Sequence, residues 1–486
     1  MTINRSLLIG GKEIPAASGR TTADTNPWTG EVYATVAAAG PEDVRAAVDA
    51  ADAAFAEWAA LAPFARRKIF LDAAALMEQH IELAVDLVAG EAGGTRLWSM
   101  FNVMVAANFL REAASAITAP RGDVLSTQEP GGLSLAVREP LGVVAAFAPW
   151  NAPVILGTRA VAAALAAGNT VVVKASEDAP IACALFVADV LREVGLPDGV
   201  LNVITNDKAD AAEIAETLIA DPRVRAVNFT GSTGVGQIIG TLAARHLKPA
   251  LLELGGKNSV VVLEDADLDH AVNAATIAAF MNAGQICMCA DRILVHASLV
   301  EEFTRRFTAK VAALPSGDPA LPTTVIGPLV DKAAAQRVAA LVADARARGA
   351  RVLTGGGAPE GALHPATVLA DVPEDAALHR TEAFGPVVVI TSFANDDEAV
   401  TLANDTEHGL SCGVITENAT HGLKVARRIR TGIVHVGDQS VGDEPQAPFG
   451  GFGASGYGRF GGRWGIEFFS NTRWVTVSTE RPHYPF

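Results

Sequence analysis

Five short apolar runs lie between Leu141 and Leu263: Val143–Ala148, Thr170–Lys174, Leu201–Ile204, Ala226–Thr230 and Ser259–Leu263. None alternates polar with apolar. A strand with one wet face must alternate, whereas a strand buried on both faces need not, so these runs suit the inner strands of a parallel sheet. Parallel neighbours require a crossover between them. Helix-patterned segments fill the gaps, near Val154–Ala167, Ala179–Val194, Ala209–Ile219 and Val235–Ala244. Strands and helices in this alternation predict an α/β chain with a doubly wound, Rossmann-like sheet.

The flanks have their own pattern. Val44, Val48, Ala51, Phe55 and Trp58 line one face of a helix, and a second helical stretch runs from about Phe64 to Val88. A second αβ-alternating region begins at Asp265. Helices are expected at Val272–Met281, Leu299–Ala313 and Lys332–Gly349, and strands at Val387–Thr391 and Gly432–Val436. Beyond Gly437 the chain turns rich in Gly, Pro and aromatic residues, and Trp474–Ser478 reads as a β-prone edge.

At 486 residues the chain exceeds what one growing core supports, which implies two or three domains. A formal charge of −16, with no long Lys/Arg block, disfavours nonspecific nucleic-acid binding. The stretch Met1–Arg20 has no apolar core of signal-peptide length, and no apolar stretch is long enough to span a bilayer. Four cysteines do not make a disulfide framework in a chain of this length. The expected setting is the cytoplasm, with free thiols and no metal.

The chemistry-bearing residues cluster at glycine-marked segments. Cys287 lies in Gly284-Gln285-Ile286-Cys287-Met288-Cys289-Ala290-Asp291-Arg292, and upstream stands Glu253-Leu254-Gly255-Gly256-Lys257. A thiol and a carboxylate are the parts needed for covalent chemistry on a carbonyl, one to attack and one to activate water. Taken alone, a cysteine is more often a small buried hydrophobe, and a carboxylate beside an apolar run is usually a solvated strand end. Cys289 completes no metal set, and Cys183 and Cys412 carry no signal. Pro149-Trp150-Asn151 follows the first run and Lys174-Ala175-Ser176-Glu177 the second, and the ends of parallel strands are where such folds bind ligands. A carboxylate at Glu177 suits ribose hydroxyls and would repel a 2′-phosphate, which favours NAD over NADP. Phe229-Thr230-Gly231-Ser232-Thr233-Gly234-Val235-Gly236 joins a strand to a helix, whose first N–H groups favour an anion.

These segments, in this order, resemble the NAD(P)-dependent aldehyde dehydrogenase superfamily. Glu382-Ala383-Phe384-Gly385-Pro386 and Pro448-Phe449-Gly450-Gly451 extend the likeness, which spans roughly Trp28 to Trp474. The resemblance implies that Cys287 is the nucleophile, Glu253 the base that activates the deacylating water, and Asn151, with the Cys287 N–H, the oxyanion hole. It places the cofactor on Trp150, Lys174, Ser176, Glu177, Gly231, Ser232, Leu254, Gly255, Glu382 and Phe384. It implies an NAD-binding domain of residues 1–118 and 141–252, a catalytic domain of 253–455, and a small β oligomerisation element of 119–140 and 466–486, hence a homodimer or homotetramer. Gly437, where the family usually has asparagine, and Asn471, near where some members carry a glutamate linked to proton exit, depart from the pattern.

The substrate is addressed by the helix after Asn151. Ala152, Ile155, Leu156 and Arg159 recur on one face, and in the family the first turns of this helix line the substrate tunnel. Arg159 is either a surface cation paired with an acid or a cation in an apolar tunnel that attracts an anionic or phenolic oxygen. The segments around Asn151 and Asp443–Gly451 look most like the aromatic-aldehyde branch, with its salicylaldehyde, vanillin and benzaldehyde dehydrogenases. The alternatives are an aliphatic aldehyde or semialdehyde on the same machinery, a coenzyme-A-acylating variant, and a non-catalytic NAD-binding or structural protein.

Overall fold

Valine- and alanine-rich runs that cannot face water form the middle of an eight-stranded sheet. In this computed structural model, which describes residues 2–128, 131–481 and 483–486, its spatial order is Gly456–Tyr457, Ala250–Glu253, Val224–Thr230, Val143–Phe147, Thr170–Lys174, Leu201–Ile204, Leu7–Ile9 and Lys12–Ile14. The inner strands pair in parallel, and the outer ones are antiparallel. Chain order reverses beside Val143–Phe147: the chain steps outward through Thr170–Lys174 and Leu201–Ile204, then returns to lay Val224–Thr230 on the other side. Such a switch point opens a crevice at the carboxyl ends of the strands. The pairs Phe147↔Phe229, Phe147↔Lys174 and Thr230↔Glu253 bring those ends level.

A second sheet of seven strands runs Arg351–Thr354, Thr367–Ala370, Val387–Phe393, Ala290–His296, Asn258–Val262, Ser411–Ile415 and Ile433–Val436, parallel except at the first. The run Ser259–Leu263 therefore belongs here and not to the Rossmann-like sheet, as its position in the alternation suggested. A strand buried on both faces looks the same in either sheet, and Asn258–Val262 is buried throughout. The chain leaves the first sheet at Glu253 and enters the second at Asn258, so the segment between them bridges the two layers.

The third sheet is antiparallel: Gly122–Leu125, Leu133–Pro140 and Ser470–Val477. Val124 and Trp474 are 76% and 73% exposed on it. Residues 129, 130 and 482, which fall within the expected oligomerisation element, lie outside the described residues, as does Met1.

Helices differ in detail from the sequence reading. The stretch Phe64–Val88 is two helices, Pro63–Gln79 and Ile81–Ala92, which meet at His80. The expected helix Ala179–Val194 opens with a π turn, Ile181–Leu185, before the α-helix Phe186–Glu193. Glu91 accepts hydrogen bonds from the N–H groups of Ile181 and Ala182, at 2.9 and 2.7 Å, and so satisfies donors that a helix start leaves free. No helix among the described residues is long and apolar enough to cross a membrane.

The helix Pro153–Ala167 is buried all round; only Ala163 is partly exposed. It can lie this deep because Gly157 lets it press on the π turn: a Cβ there would sit 1.8 Å from the Cys183 carbonyl oxygen. Gly157→Ala is expected to force the two apart and cost about 1–3 kcal/mol. Its apparent Tm should fall by several degrees; an unchanged Tm would contradict this packing.

Candidate active site

The bridging segment puts Glu253 at the end of one sheet. The second sheet delivers Cys287 through the helix Leu268–Phe280, started by the Asp267 carboxylate, which accepts from His270 N at 2.7 Å. After that helix Asn282 and Ala283 adopt φ of 51° and 53°, and Gly284 follows at 76°, which turns the chain sharply toward the cysteine. A Cβ on Gly284 would meet the Gly385 carbonyl oxygen at 2.1 Å, so the turn is closed to larger residues. Asn258 Nδ2 donates to the carbonyls of Cys287 and Cys289 at 2.7 and 3.0 Å and ties the cysteine loop to the sheet. Asn151 reaches the same loop, donating from Nδ2 to Gln285 O at 2.9 Å; its own carbonyl accepts from Trp98 Nε1 and Asn282 Nδ2 at 3.0 and 2.9 Å.

Cys287, Glu253 and Asn151 open on one cavity of about 380 Å³, bounded also by Trp150, Gly231, Ser232, Leu254, Gly255, Arg337, Glu382 and Phe384. Most residues expected at a cofactor are thus gathered around the expected chemistry. Trp150 and Phe384 meet edge to face at 5.7 Å, Phe384 with a left-handed φ of 44°. Ser232 caps the helix Thr233–Arg245, its Oγ accepting from Val235 N at 3.5 Å, so the helix start faces the cavity. Lys174, Ser176 and Glu177 stand apart from it at the end of Thr170–Lys174. There Glu177 Oε1 contacts Lys174 Nζ and accepts from Asn206 Nδ2 at 2.8 Å.

Behind the cavity the charges are buried. Arg159 is 3% exposed; one nitrogen lies 3.2 Å from Glu253 Oε2 and another 3.3 Å from Asp443 Oδ2. Its guanidinium stacks 4.2 Å from the Phe449 ring centre and 5.1 Å from that of Phe460. Burial raises the Glu253 carboxyl above its ordinary range, against the pull of Arg159 and of the Cys287 thiol. Asp443 is pushed up to about 6, chiefly by burial. Burial and the Glu253 charge push the Cys287 thiol well above its usual value. The thiol therefore holds its proton until something takes it, and the Glu253 carboxylate beside it is the acceptor at hand; its Oε1 is buried with no partner other than that thiol.

Arg159 is thus neither the surface cation nor the free tunnel cation that its helix position allowed: two carboxylates already hold it. Ala152, Ile155 and Leu156 pack in the core at 5%, 4% and 5% exposure and are not among the residues that bound the large cavity. A stripe at helical spacing marks a face only when the other faces are wet, and here none is. Sequence reasoning also passed over Asp443, Asn258 and Arg337 as site residues. Arg337 donates to the carbonyls of Ala383 and Phe384 at 2.8 and 3.4 Å and fixes the Glu382–Phe384 turn. An aspartate in the Gly- and Pro-rich late loop and an asparagine just after the Gly-Gly pair were the available signals. All four cysteines are free, and no group of metal-ligating side chains occurs among the described residues.

Three comparisons bear on this arrangement. The profile of the aldehyde dehydrogenase family matches residues 14–475. The chain is 50% identical to the vanillin dehydrogenase of Pseudomonas fluorescens over 479 residues, 99% of both chains. The crystal structure of a salicylaldehyde dehydrogenase from Pseudomonas putida G7, complexed with salicylaldehyde, superposes with a TM-score of 0.97 at 39% identity over 100% of both chains. That of an NAD-dependent aldehyde dehydrogenase from Sinorhizobium meliloti does so at 0.96 and 35%, covering 100% of this chain and 97% of that one.

Glu382 carries a pH signature. Its Oε1 accepts from Gly256 N at 2.9 Å, and burial, with Asp291 nearby, raises its carboxyl from 4.5 to about 8. Between those values the folded protein keeps a proton that the unfolded chain releases, so stability falls as pH rises through the window. Glu382→Gln removes this titration. The fall of Tm between pH 5 and 8, measured without cofactor, should be shallower than in the wild type; an identical slope would contradict the assignment.

Proposed function

Because this chain belongs to the aldehyde dehydrogenase family, we propose that it oxidises ring aldehydes to carboxylic acids with NAD, using Cys287 as nucleophile, Glu253 as base and Asn151 as oxyanion donor. The observation that carries this reading is the convergence of all three on one cavity, with the Glu253 carboxylate in contact with the Cys287 thiol.

The steps follow from where protons and charges can go. Glu253 takes the Cys287 proton, and the thiolate adds to the carbonyl carbon, forming a C–S bond. The carbonyl oxygen gains negative charge; Asn151 Nδ2 spends one hydrogen on Gln285 O and has a second to offer it. The thiohemiacetal carbon then loses hydride and becomes a thioester. When bound, the dinucleotide supplies the acceptor for that hydride. Glu253, having shed its proton to solvent, takes one from water, whose oxygen adds to the thioester carbon. The C–S bond breaks, the acid departs, and the sulfur recovers a proton.

The residues present fit a dinucleotide. The start of Thr233–Arg245, with Gly231 and Ser232, would offer N–H groups to a pyrophosphate. Glu177, pre-set by Lys174 and Asn206, suits ribose hydroxyls. Trp150, Leu254, Gly255, Glu382 and Phe384 line the same cavity as Cys287. The ring-aldehyde preference rests on full-length likeness to a vanillin and a salicylaldehyde dehydrogenase. The reading extends to a cytoplasmic homo-oligomer paired through the third sheet, whose two outer strands carry the exposed Val124 and Trp474. It keeps the division into 1–118 with 141–252, 253–455, and 119–140 with 466–486.

NADH formation across vanillin, salicylaldehyde, benzaldehyde, hexanal and succinate semialdehyde tests the substrate class. Higher kcat/KM for the ring aldehydes is expected; preference for a chain aldehyde would overturn it. With the best aldehyde, Glu177→Ala should narrow the preference for NAD over NADP by about tenfold or more. An unaltered ratio would remove Glu177 from cofactor selection.

A further inference from the structure

Two carboxylates and one guanidinium share the buried space behind Cys287, and the sharing is unequal to their needs. Arg159 gives one nitrogen to Glu253 Oε2 and one to Asp443 Oδ2. The other oxygens, Glu253 Oε1 and Asp443 Oδ1, are buried and accept no hydrogen bond from any residue but the Cys287 thiol, which lies against the Glu253 carboxylate. An ion pair built only for stability would satisfy both oxygens of each acid, because a bare buried acceptor is costly. Arg159 cannot turn away to serve a substrate, since Phe449 and Phe460 stack on it and Asp443 holds its far side.

We infer that Arg159 is a positioning residue for Glu253: anchored by Asp443 and two phenylalanine rings, it pins Oε2 and leaves Oε1 as the one open acceptor, turned to the thiol and then to the hydrolytic water. This rests on the reading of Glu253 as the base. Its consequence is a base whose strength is set by competition. Arg159 favours the Glu253 anion, and Asp443 opposes it by drawing on the same cation and by its own charge. The charged and titratable groups facing Glu253 are Arg159 from the helix Pro153–Ala167, Cys287 from the cysteine loop, Asp443 from the late loop and, at longer range, Glu382. Glu444 acts on Asp443 in turn.

Removing each partner of the guanidinium should therefore move the base in opposite directions. The readout is the acid limb of the kcat–pH profile with vanillin and NAD. Arg159→Met keeps bulk against the two rings but removes the charge, and should shift the limb upward by about one pH unit or more, with turnover at neutral pH about tenfold lower or worse. Asp443→Asn keeps shape and gives Arg159 wholly to Glu253, and should shift the limb downward. Shifts of opposite sign are not what general loosening produces. If Arg159→Met does not fold, Asp443→Asn decides alone: a downward shift supports the inference, and an unmoved or raised limb overturns it. Glu253→Gln separates the two readings. A limb that persists in Glu253→Gln refutes Glu253 as the base. A limb that vanishes there, but stays put in both other variants, refutes only the positioning by Arg159.

Discussion

The buried contact between Arg159 and Glu253 is the interaction on which the proposed chemistry depends. A carboxylate this deep, 1% exposed, would be driven to its neutral form without a cation, and a neutral acid cannot take a proton from a thiol or from water. Breaking a buried pair by removing one partner typically costs about 3–5 kcal/mol. The surrounding structure is arranged around that need. The helix carrying Arg159 is buried on nearly every side, so its side chain has one place to go. Phe449 and Phe460 come from the late, Gly- and Pro-rich part of the chain and close on the guanidinium, and Asp443 arrives from the same region.

The second constraint is mechanical. Between Glu253 and Asn258 the chain passes from one sheet to the other, and Glu382 and Lys257 fasten this passage. Glu382 accepts from Gly256 N, and Lys257 Nζ donates to Thr381 O at 2.8 Å while lying 3.2 Å from Asp291. A Cβ at Gly255 would lie 2.3 Å from a Glu382 carboxylate oxygen and would push that side chain away from its bond to Gly256 N. Glu253 and the cysteine loop are thereby fixed to one frame, since Asn258, next to the bridge, also ties down the carbonyls of Cys287 and Cys289. A cavity lined from two sheets can hold its reacting groups in register only if the joint between the sheets is stiff, and this joint is made of buried hydrogen bonds.

The sequence disclosed the parts better than their contacts. Val143–Phe147, Thr170–Lys174 and Leu201–Ile204 were legible because strands buried on both faces leave unbroken apolar runs. The antiparallel outer strands Leu7–Ile9 and Lys12–Ile14 left no such mark, each being three residues long. Ser259–Leu263 was legible as a strand but not as a member of the second sheet, because sheet membership is decided by the Gly-Gly bridge and not by strand composition. Cys287, Glu253 and Asn151 stood out by motif, and the structure draws them to one cavity. Arg159 stood out by helical spacing, which suggested a tunnel face; its partners, Glu253 and Asp443, lie far from it along the chain and left no sign there. Contacts between distant segments are what periodicity cannot carry.

The most direct test of the account is to stop the reaction between its two halves and identify what is left on the sulfur. Glu253→Gln, mixed with NAD and vanillin and quenched rapidly, should accumulate protein heavier by one vanilloyl group, and fragmentation should place that mass on Cys287. Wild-type protein treated alike should carry little of it, because water clears the thioester. An adduct on another residue, or no adduct while Glu253→Gln turns over as fast as the wild type, would contradict the pairing of Cys287 with a buried, arginine-held base.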